Sequence, residues 1–95
     1  MTTYTINFEG TKKYIEFYER IITGMNFPSW CGENPNAIWD MLTRDIKIPA
    51  IIYMKGLGNL PKEFEEDKAV ILEVFNEARE WYEKKGFYVE IKIID

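Results

Sequence analysis

Residues 49–54, PAIIYM, are a continuous apolar run behind a proline, and their reading decides the fold. A run this short, rich in β-branched residues, reads as a strand buried on both faces, the situation of a strand inside a parallel sheet. It is expected at the sheet's centre. Immediately before it, residues 32–45, GENPNAIWDMLTRD, pass from a glycine turn to Asn34, a good N-cap, and to Pro35, whose missing N–H costs nothing at the first helical position. A short helix is predicted from Pro35 to Arg44.

Working outward, TYTINF at residues 3–8 alternates Tyr4, Ile6 and Phe8 with Thr5 and Asn7, the period of a half-buried strand. From Lys12 to Met25 the apolar residues recur at three- and four-residue spacing, so an amphipathic helix is expected there, ending near Gly24. On the other side of the central run, KGLGNLPKEFEEDK is rich in turn residues, with a helical turn expected around Pro61 to Glu65. Asp67 is expected to cap a long final helix, with Ile71, Val74, Phe75, Ala78, Trp81 and Tyr82 on one face and Glu73, Asn76, Glu77, Glu80 and Glu83 on the other. Gly86 ends it, and FYVEIKII alternates again as a last strand. This βαβ succession predicts a two-layer α/β fold, a three-stranded parallel sheet packed with about four helices, in a single domain over residues 1–95.

Ninety-five residues suit one modest core, and 46% hydrophobic with 16% aromatic residues is a globular composition. Sixteen acids against twelve bases give a formal charge of −4, and eleven of the acids lie between residues 32 and 83. That profile argues against a nucleic-acid binder. The lone cysteine, Cys31, excludes an internal disulfide and fits a reducing compartment. With neither a signal-like start nor an apolar stretch of roughly 18 residues, the chain is read as cytoplasmic and without a membrane partner.

Catalytic options are narrow. Without histidine, and with Ser29 as the one serine, no Ser-His or Cys-His pair can form. Carboxylates are the only plausible metal ligands, so no metal or cofactor is expected. Gly56 and Gly58 lack phosphate-loop spacing and read as a turn. Acid–base chemistry would require carboxylates such as Asp40 and Glu77 to meet, and solvated acids on helix faces are the plainer reading. Cys31 likewise reads as a small loop residue rather than a reactive thiol. No enzyme is expected.

The helix from Pro35 stands apart. Ala37, Ile38, Met41 and Leu42 supply its core face, which leaves Asn36, Trp39, Asp40, Thr43 and Arg44 on the opposite side or its edges. A plain packing account has Trp39 lying sideways under the preceding loop and Asp40 solvated. An exposed aromatic beside a charge is equally the composition of an interface anchor.

FPSWCGENPNAIWDMLT, followed by IPAIIYM and later by LEVFNEA, strongly resembles the barstar family, intracellular inhibitors of the secreted ribonuclease barnase. The most specific part is the pattern aromatic-x-GEN-x-x-A-hydrophobic-WD-x-LT, and the likeness runs over nearly the whole chain. It implies the family's fold and a stoichiometric inhibitor that plugs a ribonuclease active site with the second helix and the loop before it. By matching, Asp40 is the central acid that mimics an RNA phosphate. Trp30 and Trp39 match interface aromatics, Thr43 a polar contact at the helix end and Glu77 a peripheral acid. Gly32 and Asn34 lie in the matching loop. Asn36 stands where the family has an aspartate, Arg44 and Asp45 where it has glycine and tryptophan, and Cys31 where it has tyrosine. The resemblance therefore implies a microbial ribonuclease as protein partner, met by a monomer. The departures leave open an immunity or antitoxin module against another nuclease or toxin.

Overall fold

Why the apolar strand is central, yet not enclosed, follows from the order of the elements. The computed structural model describes residues 1–94: β1 (Thr2–Asn7), α1 (Tyr14–Gly24), α2 (Pro35–Leu42), β2 (Ala50–Lys55), two 3-10 turns (Leu57–Asn59 and Lys62–Phe64), α3 (Glu65–Lys84) and β3 (Val89–Ile94). The sheet is parallel throughout in the order β1-β2-β3, with Tyr4 opposite Ile52 and Ile52 opposite Ile91. The α/β class and the central position of residues 50–55 are as the sequence predicts. Burial on both faces is not.

Ala50, Ile52 and Met54 are buried, whereas Ile51 and Tyr53 are half-buried and their sheet neighbours Thr3, Thr5 and Lys92 are exposed. Parallel crossovers are right-handed, so two that step the same way along a sheet place their helices on the same side. The other face stays open to water. The apolar run is thus explained on one face by the core, and on the other by β-branched and aromatic preference for a pleated, half-covered surface.

The core under the sheet is aromatic. Phe17 lies 5.3 Å from Phe8 and 5.7 Å from Phe64, and Ile6, Ile21, Ile52, Met54, Ile71 and Phe75 close around them with almost no exposure. α1 approaches β1 so closely that a Cβ on Gly24 would meet the Thr5 carbonyl oxygen at 2.6 Å. Since the obstacle is backbone, only glycine fits this contact.

Three expected helix boundaries move, each for a local reason. α1 begins at Tyr14, not Lys12, because the Glu16 carboxylate accepts hydrogen bonds from the N–H groups of Lys12 and Lys13 at 3.0 and 2.8 Å. This is the acidic half of a capping box, since a lysine side chain has no acceptor with which to complete it. α2 ends at Leu42 instead of Arg44. α3 starts at Glu65, straight out of the Lys62–Phe64 turn, so Asp67 is a first-turn residue whose charge favours the helix start and not the cap. At the last strand the alternation does not persist as burial: Val89 is buried, but Ile93 and Ile94 on this edge strand are exposed.

Candidate partner-binding site

The candidate site is built on α2, which is fixed at both ends. At its start the Asn34 side chain accepts a hydrogen bond from the Ala37 N–H at 2.9 Å, and Pro35 follows at the first position. Gly32 lets the loop lie close to this turn: a Cβ there would come within 3.0 Å of Asn34 Nδ2 and 3.1 Å of the Ala37 Cβ. Both residues, singled out in the sequence as contacts, therefore also have internal work, shaping the loop against the helix.

At the other end the Thr43 hydroxyl donates back to the Trp39 carbonyl at 3.0 Å, with the Asp40 carbonyl 3.3 Å away, and the Thr43 N–H also donates to Trp39. That closes the helix two residues early and leaves Arg44 in the turn beyond it. The last carbonyls of a helix lack partners within it. One of them, that of Leu42, accepts a buried hydrogen bond of 2.6 Å from the Tyr82 hydroxyl on α3. Burial pushes the Tyr82 phenol above its ordinary range, with the nearby Tyr4 a lesser cause. Tyr4, from β1, accepts from the Lys47 N–H at 2.9 Å and so holds the chain that leaves the helix. A cis Ile48–Pro49 bond then turns it into β2.

Between the loop and the helix lies a cavity of about 120 Å³, bordered by Trp30, Gly32, Asp40 and Arg44, with Cys31, Ala37 and Met41 beneath. The structure thus brings together four of the sequence-predicted residues, from two segments. Trp30 is 77% exposed, an unusual position for so large a ring. Trp39, in contrast, is half-buried against the core, and Asp40 beside it is exposed. Asn36, Asp40 and Arg44, spaced by four, make one exposed ridge along α2 and the turn after it. Glu77 is exposed on α3, which packs on α2, but none of the described hydrogen bonds or cavities joins it to the loop.

Cys31 and Met41 were not among the residues singled out as contacts, yet they floor the cavity. Helical spacing placed Met41 on the core side, and nothing around Cys31 signalled burial. The Cys31 residue is 6% exposed, its Sγ 3.5 Å from the Gly32 carbonyl, and burial pushes its thiol up. Burial disfavours the thiolate, which is the nucleophilic form of a cysteine. A separate concavity of about 450 Å³ between α1 and β1 is lined by Asn7, Glu16, Glu19 and Arg20, among others, and includes none of the candidate residues. Among the described residues no group of three or more His, Cys, Asp or Glu is placed to hold a metal ion, and no helix is long and apolar enough to cross a membrane.

The arrangement offers surface chemistry: a carboxylate whose side chain has no hydrogen bond or ion pair among the described residues, a bare indole, and a short helix held at both ends. Against known families, residues 1–93 match the model described as Barstar (barnase inhibitor).

Proposed function

The chain belongs to the barstar family of barnase inhibitors, and from that premise we propose that it is a stoichiometric inhibitor of a barnase-type microbial ribonuclease, acting by occupation of the enzyme's active site. The observation that carries this reading is Asp40, exposed on α2 at the edge of the same cavity as the exposed Trp30. A ribonuclease cleft must be cationic to hold RNA phosphates, and a carboxylate accepts the same charge-assisted hydrogen bonds as a phosphate oxygen. Asp40 occupies the phosphate position. Trp30 covers the cleft mouth, with Asn36, Thr43 and Arg44 making polar contacts along the helix and Trp39 backing it. Gly32 and Asn34 hold the loop in shape and meet the partner with their exposed atoms. Glu77, farther off, adds to the attractive field.

The pre-formed helix supports tight binding, because a plug fixed before contact loses little entropy on docking. The chain itself is not an enzyme on this reading, binds no nucleic acid, and is a monomer before it meets the nuclease. It works in the cytoplasm, where an active ribonuclease is toxic to the cell that makes it. Titration into a barnase assay, at low salt and at about 0.15 M, tests the proposal. Activity should vanish at one equivalent and persist when Asp40→Ala replaces the wild type. Undiminished RNA cleavage in the presence of a stable complex would instead favour the second reading, an immunity or antitoxin module bound away from the active site. Arg44 is the observation on its side, a cation on the surface that is meant to enter a cationic cleft.

A further inference from the structure

The ridge on α2 presents one acid and one base that do not neutralise each other. Asp40 and Arg44 are four residues apart, with the acid N-terminal, a spacing that often yields an ion pair. Both are exposed and both border the cavity beside Trp30. Yet among the described residues the ion pairs are Arg79–Glu83 and Lys92–Glu90, and neither Asp40 nor Arg44 has a side-chain hydrogen bond. Asn36, one turn earlier on the ridge, is neutral. The three positions together carry no net charge.

Such a ridge is poorly suited to a cleft that is cationic throughout. Docking would take the Arg44 guanidinium out of water, and a charge so desolvated is strongly unfavourable unless an opposite charge meets it. Asp40 on α2 and Arg44 in the turn beyond it border one cavity of about 120 Å³. The complementary surface must therefore change sign within the span of that cavity.

We propose that Arg44 determines partner specificity: the ribonuclease this chain inhibits carries a carboxylate within one helical turn of the cation that receives Asp40, and Arg44 forms a forked ion pair with it. This rests on the reading of α2 as the plug. Guanidinium presents two parallel N–H donors to a carboxylate, so the contact selects by geometry as well as by sign. Arg44 is exposed and lies beyond the last helical residue, so its replacement is expected to leave the fold intact.

The test uses barnase as probe. Dissociation constants are measured for wild type, Arg44→Gln and Asp40→Ala against barnase and against barnase variants with each cleft carboxylate changed singly to its amide, with thermal midpoints as a folding control. The expected result is that Arg44→Gln binds at least tenfold more weakly, about 1.4 kcal/mol, through faster dissociation, and that this loss disappears against one of the amide variants. Equal or tighter binding by Arg44→Gln, with Asp40→Ala still defective, overturns the ion pair while leaving the plug in place. Failure of both wild type and Arg44→Gln to bind removes the plug reading for this enzyme class and the proposal with it.

Discussion

α2 and α3 both turn acids to solvent, and they do so to different effect. On the long α3 helix Glu73, Glu77, Glu80 and Glu83 form a solvated face, and Glu83 is already 3.1 Å from Arg79 within its own helix. On the short α2 helix a single acid, Asp40, borders a cavity beside a bare tryptophan. The longer helix carries more charge, but each of its carboxylates keeps its water. Charge count sets a field that is felt at a distance; only a carboxylate that a partner can strip of water, against a rigid backing, becomes an anchor. The contrast predicts that α2 governs how long a complex lasts and α3 how fast it forms.

The sharpest way to break this contrast is to remove the proposed anchor. Asp40→Ala is expected to weaken nuclease binding by about 3–5 kcal/mol, the usual consequence of leaving one buried charge without its partner, while thermal unfolding stays within about 0.5 kcal/mol as for exposed positions. Calorimetric titration and a melting curve on the same sample measure both; a loss of stability equal to the loss of affinity would make Asp40 a structural residue.

Next comes the link between the helices. Tyr82→Phe leaves the Leu42 carbonyl buried without a donor and should destabilise the fold by about 1–3 kcal/mol, read as a shift of the urea midpoint at unchanged slope. If α2 is held by packing alone, the midpoint will not move. Asn34→Ala removes the cap from the start of α2 and is expected to cost about 1 kcal/mol, with faster amide exchange confined to residues 36–38. Uniform exchange across α2 would mean that Pro35 suffices.

Changing Glu73, Glu77 and Glu80 together to Gln tests the other arm. Association should slow several-fold at low salt and approach wild type near 0.15 M, where the Debye length is about 8 Å, with dissociation unaffected. A faster off-rate would place these acids in the interface itself.

The smallest effect concerns Glu16. Its carboxylate is held below the ordinary 4.5, first by the backbone N–H of Lys12, then by that of Lys13, with the charges of Lys13 and Arg20 adding to it. A depressed folded-state pKa contributes stability above the ordinary value and loses it as pH falls through the folded value. Glu16→Gln should therefore flatten the acid side of the stability curve slightly. Asn34, the neutral cap of α2, should leave that slope alone.

How much of this was legible in the residues differs from place to place. PAIIYM announced a central strand because six apolar residues in a row fit little else, but its one-sided burial depends on two crossovers stepping the same way, which belongs to the topology and not to the strand. Asn34 and Pro35 marked the start of α2 since capping is local chemistry. Its end was hidden, because Thr43 turns its hydroxyl back on Trp39 and Asp40, a competition that spacing does not reveal. Asp67 looked like a cap and is not one, as the turn at residues 62–64 winds directly into the helix. The two tryptophans read alike in the sequence; the loop path bares Trp30 while the core takes hold of Trp39.

The helix-free face of the sheet gives the molecule a practical back. Thr3 and Thr5 are exposed there, in register with half-exposed Ile51 and Tyr53, on the strands' outer side and away from the cavity that Trp30 and Asp40 border. A fluorophore, a surface tether or a fused protein joined at either threonine leaves α2 unobstructed. The fold thus comes with separate ends for capture and for attachment, which suits it to serve as an immobilised sensor of the nuclease it binds.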